Sequence, residues 1–301
     1  MKAAAVTDAK LGMLLRGLAA DYSELVKARL TFLVLMTTLV GFYMGSRGVI
    51  DVGLMIHTLF ATALVASGAA ALNQWLERDA DAKMPRTKNR PLPSGRMQPQ
   101  EAFVFGAAVS LIGVIYLAVS VNALASLLAG FTLVSYLFIY TPLKRLTWLN
   151  TIVGAVPGAL PPIIGWAGAR GELTPEGWIL FAIIFFWQMP HFFSIAWIYQ
   201  EDYKAGGFSM LPVVDSDGAS TGRLSVFHAM MLLPISLMPS ILGLSGAVYF
   251  LSALVLSSVF LGFAVRFNQK KTNSSAWWLF GVSIVYLPVL LSLMVFDKIR
   301  P

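Results

Sequence analysis

Asn73, Glu77 and Asp81 recur at intervals of four in the run NQWLERDADAKMPRTKNRPLPSG, residues 73–95. On a helix this spacing confines all three to a sector of about 80°, so an amide oxygen and two carboxylates can face one ligand. Asp79 falls off the sector, toward solvent, Arg78 or Lys83. Pro85 stops the helix soon afterwards, because it offers no backbone donor and keeps its predecessor out of helical angles. Arg86, Lys88 and Arg90 then follow on a loop. Oxygen ligands followed by Arg and Lys suit Mg²⁺ with a phosphate group: Mg²⁺ takes one or two carboxylates with phosphate oxygens and water, Arg forks onto phosphate and Lys adds a point charge. The competing reading makes these snorkelling, topology-setting charges at a helix end. Against it, carboxylates contribute little to membrane orientation, and acids deep in a span cost up to ~2.5–3.5 kcal/mol each.

The elements that must hold these residues are membrane helices. The chain has 301 residues, 57% hydrophobic and only 12% charged. Apolar runs long enough to cross ~30 Å of hydrocarbon lie near 30–48, 52–75, 101–120, 123–141, 149–168, 177–199, 225–244, 246–266 and 276–296. They lack the alternation of a membrane barrel, and lipid leaves no other way to satisfy the backbone. The expectation is an all-α polytopic protein: an N-terminal cytoplasmic segment 1–29, one nine-helix domain 30–296 and a short tail 297–301. Charges scattered through 1–29 leave no cleavable signal there, so the first span reads as an uncleaved anchor. The absence of cysteine removes thiol catalysis and disulfides.

Placing the N-terminus inside collects 18 of the 22 Lys and Arg in inner loops, leaving Arg47, Arg170, Lys298 and Arg300 outside. Nine spans with the N-terminus cytoplasmic and the C-terminus opposite therefore satisfy the positive-inside rule. The formal charge of +7 is mostly topology, which removes the motive for nucleic-acid binding. Inner loops alternate: acid-rich after the second span, basic at Lys144 and Arg145, acid-containing at Glu201, Asp202, Asp215 and Asp217, basic again at Arg266, Lys270 and Lys271. That order predicts two pseudo-repeated four-helix units plus one helix, the ninth, with both acidic loops meeting over a central cavity, as in other repeat-built membrane proteins.

The gapless pattern Asn73-x3-Glu77-x3-Asp81-x4-Arg86-Thr87-x2-Arg90-Pro91 resembles the first signature of the UbiA superfamily of intramembrane prenyltransferases. YTPLKR at 140–145 is similar to that family's Tyr-Thr…Lys-Arg loop, and EDYKAGGFSMLPVV at 201–214 sits where the family has its second acidic motif. The runs NQWLERDAD, FFWQMPHFFSIAW (185–197) and DYKAGGFSMLPV (202–213) look like the haem-farnesylating branch. Gln74 stands where aromatic-prenylating relatives carry Asp, and His191 lies where they have another acid, which argues against a quinone-precursor substrate.

The resemblance implies farnesyl transfer from farnesyl diphosphate to a vinyl group of haem B in a bacterial inner membrane, with haem A synthase or an oxidase assembly downstream. It implies that Asn73, Glu77 and Asp81, with Glu201 and Asp202 opposite, act at Mg²⁺, Asn73, Glu77, Asp81 and Asp202 being the metal ligands. Arg86, Lys88, Arg90, Lys144, Arg145 and Lys204 would neutralise the diphosphate. Tyr136, Tyr140, Phe185, Phe186 and Trp187 are candidates to face the allylic cation or line the prenyl chain, against ordinary packing.

Of three histidines, His57 lies toward the outer end of its span and His228 near the inner face. His191 follows Pro190 inside a span, where an imidazole marks a functional position; it reads either as a hydrogen-bonded bundle residue or as a haem contact, to iron or propionate. The prolines and glycines of VGAVPGALPPIIGWAG at 153–168 exclude a straight helix. Three rivals stay open: a prenyltransferase acting on an aromatic or quinone precursor, a haem or lipid chaperone, and a secondary transporter. The last requires ionisable groups at mid-membrane, whereas here they sit at span ends.

Overall fold

The computed structural model describes residues 16–215 and 217–299; the expected segment 1–29 and tail 297–301 lie partly outside the described residues. Among the described residues, nine helices are long and apolar enough to cross a membrane: α1 Ala28–Gly45, α2 Val52–Asp81, α3 Pro99–Ser120, α4 Ala123–Leu146, α5 Asn150–Arg170, α6 Pro175–Ile198, α7 Ala219–Ile241, α8 Ala247–Lys270 and α9 Asn273–Phe296. A further helix, 16–25, precedes α1.

Packing places the odd helix first rather than last. Helices α6 to α9 close a ring, each touching the next and α9 returning to α6, and α2 to α5 close a looser ring in the same order. Helix α1 belongs to neither ring and packs chiefly on the second half of α5, with further contact to α2. The alternating inner loops have a period of four whichever helix is counted first, so they cannot say where a unit begins. The larger core joins the α6–α9 ring around Ile183, Leu232, Tyr249, Phe260 and Tyr286, tied by a buried hydroxyl chain from Ser236 through Ser257 to Tyr286.

Helix α5 breaks, as its prolines require. Asn150–Ala159 and Pro161–Arg170 are separate helical pieces with Leu160 between them. The contact with α1 depends on two glycines: a Cβ on Gly41 would strike the Pro162 carbonyl, and one on Gly165 the Thr38 carbonyl. Backbone cannot yield as a side-chain tip can, and small residues are what permit such approach in a bilayer. Gly41→Val or Gly165→Val is expected to cost several kcal/mol, on the order of core overpacking or more. Size-exclusion profiles in detergent should show loss of monodisperse protein, while Gly262→Ala, with open space around it, should behave as wild type.

Two of the four cations that fall outside the expected inner loops are accounted for by this junction. Arg170 Nε donates to the Gly45 carbonyl (2.9 Å) with its guanidinium over the Trp166 ring. Lys298 Nζ donates to the Tyr43 and Ser46 carbonyls (2.6 and 2.8 Å). Both serve carbonyls at the negative dipole end of α1, a local demand that would hold these cations here whatever the loop-charge bias.

Candidate active site

Two helices present matched triplets. Helix α2 runs unbroken through the motif to Asp81, so the spacing of four holds: Asn73, Glu77 and Asp81 are 1%, 6% and 1% exposed and line one cavity of about 570 Å³. Asp79 points away, its side chain 79% exposed, with only a 3.7 Å contact to Arg78. Facing α2, helix α4 contains one π-helical stretch, Ser135–Tyr140. Such bulges insert a residue and redirect the side chains that follow. Tyr136, Tyr140 and Lys144 line the cavity, the two rings stacked at 5.7 Å. Thr141 closes the bulge through its hydroxyl to the Tyr136 carbonyl (2.8 Å) and accepts from Asn73 Nδ2 (3.2 Å).

Each residue of the α2 triplet already engages a basic side chain through one oxygen. Lys27 Nζ donates to Asn73 Oδ1 (2.9 Å), Lys144 Nζ to Glu77 Oε1 (2.7 Å) and Arg90 Nη1 to Asp81 Oδ2 (2.7 Å). Lys144 also lies 4.6 Å from the Tyr140 ring centroid. Arg86 lines the same end, its guanidinium over the Tyr199 and Tyr203 rings at 4.6 and 5.5 Å. This end of the cavity is a lattice of alternating charge, whereas Leu30, Val34, Val65, Ala69, Leu133 and Ile164 make the remainder apolar. An amphiphile with an anionic head and a hydrocarbon tail matches both regions.

Lys27 is the residue that reading by motif missed. It sits between helix 16–25 and α1 in a left-handed conformation (φ 49°), and burial together with the neighbouring Arg90 pushes its ammonium down to about 7. The turn is held by Gln74, whose Nε2 donates to the Glu24 and Leu25 carbonyls (2.9 and 2.8 Å). Gln74 therefore faces the N-terminal helix rather than the oxygen-ligand triplet, and a carboxylate there could not donate. Gln74→Glu is expected to set a negative charge against two carbonyls and cost about 1–3 kcal/mol. Trypsin should then cut at Arg16 or Lys27 faster than in wild type; equal cleavage rates would contradict the clamp.

The remaining sequence-expected residues are dispersed. Glu201 and Lys204 are exposed and Asp202 half-buried, and none lines the cavity. From their segment it is Tyr203, Phe208 and Met210 that reach the wall. Lys88 and Arg145 are exposed, and Arg145 borders a separate shallow pocket behind Glu77. Phe185 and Phe186 pack against the α6–α9 core. Trp187 stands behind His191, which itself lines the cavity with Phe192. His57 is exposed and pairs with Tyr116 (2.7 Å), and His228 is satisfied by the Leu224 carbonyl (2.7 Å).

Among the described residues, no three carboxylate or imidazole groups converge tightly enough to hold a metal ion by themselves. The donor set still fits Mg²⁺ arriving with a phosphate: one amide and two carboxylate oxygens on a single helix face, beside cations that phosphate oxygens can engage.

Residues 34–290 match the UbiA prenyltransferase family. The chain is similar to the protoheme IX farnesyltransferase of Solibacter usitatus, 49% identical over 92% of this chain and 98% of that one. It is 44% identical to the protein of the same name from Koribacter versatilis, over 93% and 94%. In fold it resembles a digeranylgeranylglyceryl phosphate synthase (TM-score 0.78, 17% identity, 93% of this chain and 98% of that one). It also resembles a UbiA homologue from Archaeoglobus fulgidus bound to GPP and Mg²⁺ (TM-score 0.57, 14% identity, 91% and 99%).

Proposed function

Since the chain belongs to the UbiA prenyltransferase family, we propose that it transfers a farnesyl group from farnesyl diphosphate to the vinyl group of haem B, producing haem O in a bacterial inner membrane. The acceptor rests on relatives that carry this activity in their names and align over nearly their whole length. The observation that carries the chemistry is the charge lattice at one end of an otherwise apolar cavity. It suits a substrate whose leaving group is an anion and whose transferred group is a hydrocarbon.

Arg86, Arg90, Lys144 and Lys27 would take the diphosphate oxygens, exchanging their present partners for substrate. Fixed cations of this kind stabilise charge as it develops on the departing oxygens. Asn73, Glu77 and Asp81 would hold Mg²⁺, which when bound acts as a Lewis acid on the diphosphate. As the C1–O bond breaks, the faces of Tyr136 and Tyr140 offer negative π density to the allylic cation. The electron-rich vinyl carbon forms the new C–C bond, and water adds to the neighbouring carbon with loss of a proton, giving the hydroxyethylfarnesyl side chain. His191 would contact the haem. Lys88, Arg145 and Lys204 act in this scheme by attraction at the rim rather than by contact. Glu201 and Asp202 join the metal set only when segment 199–210 moves toward α2.

The test is to incubate purified protein with haem B, farnesyl diphosphate and Mg²⁺ and to look by mass spectrometry for the hydroxyethylfarnesyl adduct. A 4-hydroxybenzoate acceptor is offered in competition. Prenylated benzoate without farnesylated haem would replace this reading with that of an aromatic prenyltransferase.

A further inference from the structure

Helix α9 supplies the surroundings of the one cavity-lining histidine. His191 Nδ1 lies 2.7 Å from Ser283 Oγ. Its ring is stacked between Trp187 (centroids 5.0 Å, 21°) and Phe280 (5.1 Å, 28°). Trp187 is itself fixed, its Nε1 donating to the Ser283 carbonyl at 2.9 Å. These two stacked rings and one hydrogen bond define the orientation of the imidazole. No hydrogen bond engages Nε2 among the described residues, and the ring lines the cavity.

The hydroxyl bookkeeping at Ser283 decides where the imidazole proton sits. Ser283 is fully buried and its Oγ lies 2.6 Å from the Phe280 carbonyl oxygen. Two oxygens at that distance repel unless a proton lies between them, and a carbonyl has none to give. The single hydroxyl proton therefore goes to Phe280, and toward His191 Ser283 Oγ has only a lone pair. Nδ1 must then be the donor, which in the neutral imidazole leaves Nε2 as an unprotonated lone pair facing the cavity. The opposite tautomer would set an unpaired N–H against the apolar cavity and force Oγ and the Phe280 oxygen together without a proton.

We propose that Ser283 is a positioning residue that fixes His191 as its Nδ1–H tautomer and so presents the Nε2 lone pair to the iron of haem B. This rests on the reading of His191 as a haem contact, and it selects iron over propionate: an unprotonated nitrogen coordinates a metal and repels a carboxylate. Ligating histidines are commonly oriented in this way by a partner on the far nitrogen. The ninth helix thereby acquires a role at the site.

Two measurements separate this proposal from the reading beneath it. In ligand-free protein carrying ¹⁵N-imidazole label, the signals that disappear in His191→Ala should report an Nδ1–H, Nε2-unprotonated ring in wild type. Ser283→Ala should shift that pattern toward a tautomer mixture and Ser283→Thr should restore it. With ferric haem B added, Ser283→Ala is expected to weaken haem binding by about tenfold or more and, after reduction, to shift the iron–histidine stretching frequency. KM for farnesyl diphosphate should not change. A purely structural serine would alter melting and leave tautomer and frequency alone. An Nε2–H ring in wild type, or wild-type tautomer, haem affinity and frequency in Ser283→Ala, overturns the proposal. Haem ligation that survives His191→Ala overturns the iron-ligand reading, and the proposed role of Ser283 in ligation with it; the labelled-imidazole result then stands as a separate finding about the ring.

Discussion

Asp81→Ala protein is expected to be extracted and purified like wild type, yet to transfer farnesyl about 10²–10³-fold more slowly. Asp79→Ala should stay within about twofold, as surface changes usually do. The two acids are two residues apart in one helix, so composition and local charge barely distinguish them. Their surroundings differ sharply: Asp81 is 1% exposed and accepts from Arg90 at 2.7 Å, whereas the Asp79 side chain is 79% exposed. Removing the Asp81 carboxylate removes a proposed Mg²⁺ ligand and frees a guanidinium assigned to diphosphate. Folding survives because the Arg90 side chain is 25% exposed and can reach water. The comparison is made by initial rates at saturating haem B and Mg²⁺, and a folded Asp81→Ala enzyme at the wild-type rate would remove this residue from the site.

Glu77→Ala should behave differently, losing stability as well as activity. Its partner Lys144 is 11% exposed in its side chain and held at 2.7 Å, with the Tyr140 and Phe208 rings as further support. Breaking a buried pair by removing one member costs about 3–5 kcal/mol, because the remaining charge is left uncompensated. For a chain of this size that corresponds to a fall of roughly 10 °C in melting temperature, measurable by fluorescence in detergent. The double variant Glu77→Gln with Lys144→Met removes both charges and should recover most of the stability while remaining inactive. Unchanged melting in Glu77→Ala would mean that the pair is solvated; activity in the double variant would mean that it plays no part in transfer.

The contrast between these two acids also marks how far a motif can be read. The interval of four was enough to select Asn73, Glu77 and Asp81 and to discard Asp79, because helical periodicity is a property of the backbone alone. Apolar run length found the nine spans, and the prolines the broken α5. None of these readings could find Lys27, which belongs to no motif and reaches Asn73 from a turn that Gln74 clamps before α1. Nor could they find that Trp187 supports His191 from behind: residues four apart on a helix were legible as neighbours, but which side of α6 meets α9 was not.

From the sequence alone came the membrane architecture, the helix face that carries oxygen ligands and the cationic loop after it. Each is a local matter of hydropathy, periodicity or composition. Only the tertiary structure decided which cations those oxygens meet, which of the two acidic segments reaches the cavity, and which nitrogen of His191 is free. These depend on contacts between residues as far apart as 27 and 73, 77 and 144, and 191 and 283. Such contacts are set by the α1–α5 glycine junction, the π-helical stretch in α4 and closure of the α6–α9 ring, and no local window of sequence encodes their distances.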